Sequence, residues 1–463
     1  MRDKGIGWAS RRLTAGVVAL WFALGTAPGA RAEVIQLDAE NLYRLALVMI
    51  DSNRPEQALA YSSALVQRDP DDARALALKS WAERDLGLYT ESVRSGRLAW
   101  AKSDTDAESF GAAMAVAQGL SSRGQKFLAQ IWLRRAMAVA PDDASKRLAE
   151  RDFAYVRTRS RLWLRFDASV QPSNNVNNGS SSSILWFYGL PLLLSGDAQA
   201  LSGVEGNFGL TLKYRLAETE KAKTDLTFAM VQTAVVLSDK AQLQAPTAKG
   251  SDYAFSALEV GLEQSWRLAA LRGGEMRAAL TAGHSWYGGA PLADYLRVQA
   301  SVTRPVSPRL SFNGRLLVER QNRLDSSRNS SDIWSLGLGM SAVTASRDRV
   351  DLGLSYRDTA SESTEIDHER LRLDVDWTRR KPVLAAEMTL GVWAEMRDFS
   401  QSRYSADGRT DHGLGVDLSL AFETVDYMGF IPVVTLSASR TSSNISLFDS
   451  ENLGVGFSIR SKF

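Results

Sequence analysis

Two textures of apolar and polar positions divide this chain. Residues 35–157 space their apolar side chains at helical period and are rich in Ala, Leu, Arg and Glu and poor in Gly, which predicts a helical unit. After Arg159 the content of Gly, Ser, Thr and Asn rises and alternation at period two takes over. Leu162, Leu164 and Phe166 alternate with Trp163, Arg165 and Asp167, and Leu371, Leu373, Val375 and Trp377 alternate with Arg372, Asp374 and Asp376. Leu414, Val416, Leu418, Leu420 and Phe422 form one five-position apolar stripe. Such runs predict strands near 161–170, 200–217, 222–237, 252–268, 273–286, 292–305, 308–321, 332–345, 349–361, 366–379, 383–398, 409–425, 430–442 and 451–463. The count is fourteen, with 12 or 16 open if one pair is miscounted.

The connections alternate too. Short links at 217–222, 269–273, 305–308, 346–349, 380–382 and 426–429 take turns with longer polar ones at 171–199, 238–251, 322–331, 399–408 and 443–450. The links at 287–291 and 362–365 are short exceptions. Short turns on one side and long loops on the other, with an even number of strands, are the pattern of an outer-membrane barrel. A soluble sandwich is the alternative. It would not place Arg, Asp and Glu so regularly on the second face of buried strands, whereas a barrel turns those charges to a wet lumen and the apolar face to lipid. Tyr253, Trp266, Trp286, Tyr287, Tyr295, Trp334, Tyr356, Trp377 and Tyr427 fall mostly toward strand ends, where an interfacial aromatic girdle is expected.

Within the helical part, Ala58 and Pro70 are 12 apart, as are Ala129 and Pro141, and Ser92 and Asp104 fill the same slots between them. Twelve residues earlier stand Ala46, Ser80 and Ala117, so the repeat is 34 residues and then 37. Small side chains mark sites of close helix contact, and Pro marks where the second helix stops. The pattern resembles three tetratricopeptide repeats, with an irregular all-helical domain as the alternative. Leu86-Gly87-Leu88-Tyr89 fits the turn inside a helix pair, and the Asp residues of Asp69-Pro70-Asp71-Asp72 and Pro141-Asp142-Asp143 can cap the next helix. The resemblance implies a concave surface for peptide or protein. Trp81, Trp100 and Trp132 either line it or pack between helices.

The ends carry targeting signals. Arg2, Lys4, Arg11 and Arg12 precede an apolar stretch from Leu13 to Gly25, and Ala30-Arg31-Ala32 is an A-x-A cleavage site. Residues 1–32 are therefore expected to be a signal peptide, with a retained anchor helix as the alternative. The helical domain is then 33–157 and the barrel 158–463. The last strand turns Leu453, Val455, Phe457 and Ile459 to one face and ends on Phe463. A C-terminal aromatic closing an alternating strand resembles the signal read by the barrel assembly machinery, carried here by Phe457, Ile459 and Phe463.

Composition narrows the chemistry. Cysteine is absent, which removes disulfides, thiolate catalysis and a lipidated N-terminal Cys. The formal charge of +2 gives no support to nucleic acid as a partner. Hydrophobic content of 44% looks soluble, as that of a β-barrel does, because half of each strand faces a polar lumen. His284, His368 and His412 are scattered, and His284 beside Ser285 is the one pair worth testing as a barrel-wall hydrolase. No carboxylate pattern marks it, so no enzyme, cofactor or metal site is expected.

The junction between the two parts reads Asp167-Ala168-Ser169-Val170-Gln171-Pro172-Ser173-Asn174-Asn175-Val176-Asn177-Asn178-Gly179. It leads on through Asp197-Ala198-Gln199-Ala200-Leu201-Ser202-Gly203, and Arg440-Thr441-Ser442-Ser443-Asn444-Ile445 precedes the final strand. These segments and the order of parts resemble the surface lipoprotein assembly modulator (Slam) family. Its usual Ser-Asn-Ile-Asn stands here as Ser173-Asn174-Asn175-Val176-Asn177. The resemblance implies a multidomain α + β protein, with N-terminal tetratricopeptide-like α-helical repeats followed by a 14-stranded antiparallel transmembrane β-barrel. It implies export or display of lipoproteins or secreted proteins across the outer membrane of a Gram-negative bacterium, with the helices in the periplasm engaging the client or its chaperone. The partners are then the client, the barrel assembly machinery and outer-membrane lipids. Pro172, Ser173, Asn174, Asn175 and Asn177 form the candidate loop motif, in which Asn suits a tight, self-bonded turn. The apolar run Ile184–Leu194 that follows is expected to be ordered, inward or at the membrane rim. An exopolysaccharide export porin and a passive diffusion channel are the rival readings.

Overall fold

A computed structural model describes residues 37–187 and 189–461. The expected signal peptide, Tyr188 and Phe463 lie outside them. Seven helices come first: α1 (Ala39–Asp51), α2 (Pro55–Arg68), α3 (Ala73–Asp85), α4 (Tyr89–Lys102), α5 (Asp106–Ser122), α6 (Lys126–Ala138) and α7 (Asp143–Arg159). They pair as α1/α2, α3/α4 and α5/α6, with α7 closing the stack.

The repeat slots sit where the helices touch. Ala46, Ala58, Ser80, Ser92 and Ala129 are 0% exposed and Ala117 is 2%. Ser80 Oγ donates to the Ser92 carbonyl at 2.7 Å, so the second pair is bonded across its tightest point. A Cβ on Gly119 would stand 2.7 Å from Ser92 Oγ, which puts α4 and α5 as close as glycine allows. Pro70 and Pro141 differ from the other repeat positions. Both are exposed, just past α2 and α6, and act by ending a helix rather than by packing.

Capping follows the Asp pattern. Asp72 accepts from the Ala75 N–H at 2.9 Å and Asp142 from the Ser145 N–H at 2.7 Å. Gly87, at φ +81°, makes the left-handed turn inside the second pair. Trp100 and Trp132 meet edge to face at 5.4 Å against the core of α5, α6 and α7, and Trp81 packs against α3, α4 and α5, so these aromatics are packing groups.

The strands follow: β1 (Leu162–Ser173), β2 (Ile184–Phe187), β3 (Leu190–Leu193), β4 (Gly203–Glu218), β5 (Ala222–Leu237), β6 (Phe255–Arg267), β7 (Glu275–Tyr287) and β8 (Ala290–Ser307). Then come β9 (Leu310–Arg323), β10 (Ser331–Val343), β11 (Arg349–Ser361), β12 (His368–Thr378), β13 (Glu387–Phe399), β14 (Arg409–Ala421), β15 (Phe430–Ser443) and β16 (Ser450–Ser461). All but β2 and β3 form one closed antiparallel barrel of fourteen strands, with β1 meeting β16. Among the described residues no helix is long and apolar enough to cross a membrane.

Alternation sorts the side chains. Leu280, Leu296, Val318, Leu338, Leu354, Leu373, Val392, Leu414, Leu436 and Leu453 point outward and are 44–65% exposed. Phe457 and Ile459, in β16, belong to the same outward face. The inward faces carry ion pairs such as Lys213 with Glu263 and Arg297 with Glu259.

Two turns at the helical end differ from expectation. The strand predicted from 383 begins at Glu387, and the one predicted to run to 425 ends at Ala421. Leu384 and Ala385 take φ of 53° and 61°, so the chain curls into a tight tip at 383–386 inside the expected strand, while the tip at 427–430, with Met428 at φ 54°, falls on the expected link 426–429. Tyr295 is also reassigned. It points into the lumen, where its hydroxyl donates to Glu259 at 2.8 Å, and Gly283 leaves room for its ring.

Candidate functional site

Three regions carry polar chemistry that the fold positions. The first is the loop motif after β1. Ser173 pairs with Gly454 as the last rung of the β1–β16 seam. Asn174 extends that seam: its N–H donates to the Leu453 carbonyl at 3.2 Å and its Oδ1 accepts from the Leu453 N–H at 2.7 Å. Among the described residues, β1 has partners on β16 only at Ala168, Ser169, Val170 and Ser173, while it pairs with β4 from Leu162 to Ser173. Pro172 has no N–H to give, so the Asn174 bonds supply what the seam lacks at this end.

Asn175 is 3% exposed and holds Gly179 from both sides, donating to its carbonyl at 3.0 Å and accepting its N–H at 2.8 Å. Asn177 bridges the two legs of the loop. Its Nδ2 donates to the carbonyls of Asp197 and Gln199 at 2.9 Å each, and its Oδ1 accepts from the Leu201 N–H at 2.8 Å. The motif is therefore a hydrogen-bonded knot over the closing seam.

The same loop carries the β2–β3 hairpin. Leu185 is buried, Ser446 Oγ donates to the Ile184 carbonyl at 2.8 Å, and Phe187 meets Tyr404 at 6.5 Å. One face thus rests on the loops 400–408 and 444–449. The other leaves Trp186 and Leu193 exposed by 58 and 82%, and Leu190, the cross-strand partner of Phe187, is itself 64% exposed. The described residues of the apolar run form this hairpin, at the barrel end away from the helices.

The second region joins the two domains. Arg134 on α6 donates to the Met428 carbonyl at 2.7 Å and to Ser461 Oγ at 3.0 Å. Its guanidinium lies 4.9 Å from the Phe153 ring centre and 4.7 Å from that of Phe430. Burial, with Arg157 nearby, pushes Arg134 down to about 10, against the pull of Asp426. Lys146 on α7 pairs with Asp426 at 3.1 Å. The repeat stack is thereby fastened to the 422–429 turn and the end of β16. Sequence reasoning missed this contact because its partners are about 300 positions apart and look like ordinary surface charges.

The third region is the lumen wall. Arg297 reaches Glu259 at 3.0 Å and also bonds Glu319, Lys213 pairs with Glu263 at 2.8 Å, and Arg215 bonds Asp225. A pocket of about 280 Å³ opens there, lined by Phe255, Glu259, Ser285, Tyr295 and Arg297 among others. His284 and Ser285 do not cooperate. The strand turns Ser285 inward, where its hydroxyl faces the Ala293 carbonyl, and His284 outward, where Nδ1 meets Asp294 at 2.6 Å. Among the described residues no three metal-ligating side chains stand together.

Comparisons with solved structures find the helical part similar to the TPR2B domain of yeast Sti1 in its Hsp70 complex, at 16% identity, covering 26% of this chain and 97% of that one with a TM-score of 0.24. It is likewise similar to the type III secretion translocator chaperone SycD of Yersinia enterocolitica, at 20% identity over 29% of this chain and 96% of that one, TM-score 0.23. An outer membrane channel from Pseudomonas putida F1 matches 64% of this chain with 95% of its own length, at 9% identity and a TM-score of 0.31. No curated protein matches. Residues 275–463, from β7 through the final strand, match the family model described as surface lipoprotein assembly modifier. That is the family the sequence resembles, and with the closed barrel it makes this an outer-membrane protein of tetratricopeptide-like helices and fourteen strands.

Proposed function

We propose that the protein is a translocator that exports specific client proteins, lipoproteins or secreted proteins, or displays them at the cell surface. The observation that carries the reading is the family match over residues 275–463. In this proposal the helical stack lies in the periplasm and engages the client or its chaperone. The attachment at Arg134 and Lys146 supports a direct hand-over, because it keeps the stack beside the barrel end. The motif loop and the β2–β3 hairpin then face the outside.

No nucleotide is at hand in the outer membrane, so direction must come from client folding outside or from differences in affinity along the path. The proposal assigns the chain no catalytic step and no cofactor. Assembly of the barrel by the outer-membrane machinery, guided by Phe457, Ile459 and Phe463, belongs to the same reading.

The test is photo-cross-linking in cells with the full chain, using reactive residues at exposed helical positions such as Leu98 and Leu128. Capture of one or a few surface or secreted proteins is the expected result. Capture of no exported protein, together with loss of secreted polymer on gene deletion, would favour a polysaccharide porin instead.

A further inference from the structure

The charges lining the lumen are mostly arranged with one or two carboxylates per guanidinium. Arg297 has Glu259 and Glu319, Arg215 has Glu218 and Asp225, and Arg409 has Asp411 and Glu365. The wall built by β11, β12 and β13 reverses this ratio. Arg357 on β11 is the direct cross-strand partner of Arg370 on β12, and Arg370 is the partner of Arg397 on β13. One rung nearer the helical end, Arg372 stands opposite Glu395.

On these three strands four guanidinium groups therefore share two carboxylates, and Asp411 on β14, which stands opposite Arg397, is already paired with Arg409 at 2.8 Å. Glu395, 5% exposed at its side chain, takes Arg397 at 2.6 Å, Arg372 at 3.4 Å and Arg370 at 3.6 Å. Asp374 takes Arg372 at 2.8 Å. Among the described residues Arg357 has no ion pair within 4 Å. The Nε atoms of Arg357 and Arg370 are buried side-chain nitrogens without a hydrogen-bond partner.

Like charges directly opposite on neighbouring strands repel, and a buried donor without an acceptor is costly. Glu395 already serves Arg397 and Arg370, so what a further negative group would serve is Arg357 and the unpartnered Nε of Arg370. Strand spacing of about 4.8 Å places the three forks within about 10 Å of one another. Guanidinium forks at that spacing match the paired oxygens of carboxylate or phosphate. Arg397, 41% exposed at its side chain, keeps the row open to solvent.

We propose that Arg357, Arg370 and Arg397 form an oxyanion-binding site on the lumen wall, taking phosphate or the carboxylates of an acidic polypeptide segment. The site stands on these residues alone and does not depend on the translocation reading.

The test modifies arginines in the purified full chain with phenylglyoxal and reads each site by mass spectrometry. Sodium phosphate, a hexaglutamate peptide and sodium chloride are compared at equal ionic strength. Phosphate is expected to slow modification of Arg370 and Arg397 at least fivefold while leaving Arg165, paired with Asp167, unchanged. Protection by the peptide as well identifies polypeptide carboxylates as ligands, and protection by phosphate alone restricts the site to small oxyanions. In Arg357→Gln/Arg370→Gln the protection of Arg397 should fall below twofold. Arg370→Lys, which keeps the charge and loses the fork, should reduce it in part. Equal modification rates in phosphate and chloride, or full protection of Arg397 in the double variant, would overturn the proposal.

Discussion

Asn177→Ala tests whether the motif loop is a knot or a passive strand connection. The substitution removes both Nδ2 bonds, to Asp197 and Gln199, and the Oδ1 acceptor of the Leu201 N–H. The Asp197 carbonyl is exposed and rebinds water. Gly179 N–H keeps its bond to Asn175 at 2.8 Å. Leu201 is 0% exposed, so its N–H is left buried without an acceptor, at about 1–3 kcal/mol. The part-buried Gln199 carbonyl adds about 1 kcal/mol. A total near 3 kcal/mol corresponds to about 100-fold more frequent opening of the loop. Native-state hydrogen exchange reads this at the amides of Val176 and Ala200, which keep their own acceptors, Leu201 and Ser180, in the variant. Both should exchange about 100-fold faster, with strands far from the seam unchanged. Asn178→Gly, at a position of φ 53° that suits glycine, should leave both rates alone. Exchange at Val176 and Ala200 within threefold of wild type in Asn177→Ala would refute the knot.

Gly119→Ala should lower the melting temperature of the helical signal although an ordinary helix Gly→Ala gains about 1 kcal/mol, because the new Cβ would meet Ser92 Oγ at 2.7 Å. Adding Ser92→Ala should restore it, and a rise in the single variant contradicts the packing. Arg134→Ala should free the helical stack, at about 2–4 kcal/mol for two charged hydrogen bonds and the aromatic contacts, seen as at least tenfold faster proteolysis near 160; an unchanged rate would show that the attachment lies elsewhere. Glu83 is 6% exposed, and desolvation raises its pKa above the usual carboxylate value, so the folded state holds its proton more tightly and stability falls as pH rises through that pKa. Glu83→Gln should therefore raise the melting temperature at pH 7 and do nothing at pH 4; a loss at pH 7 means that Ser95 and Lys79 outweigh the burial cost.

Much of this architecture is legible from spacing. The small residues at Ala46, Ala58, Ser80, Ser92, Ala117 and Ala129 reveal helix contacts because only a short side chain fits there. Strict alternation reveals the strands because one face meets lipid and the other water. The tip at 383–386 escaped because Leu384 continues the apolar rhythm while the backbone has already turned, whereas the tip at 427–430 lies on the link expected at 426–429. The motif was readable as a self-bonded Asn turn, but its hold on Leu453 was not, since that needs the β1–β16 register. The arginine row escaped for the same reason. Arg357, Arg370 and Arg397 are unremarkable lumen residues one strand at a time, and only the cross-strand register sets them side by side.

The central claim is tested most directly by comparing protease-accessible surface proteins of cells with the gene, without it, and with it restored. The account predicts that one or a few specific proteins leave the surface on deletion, accumulate inside, and return on restoration. An unchanged set of surface and secreted proteins would contradict it.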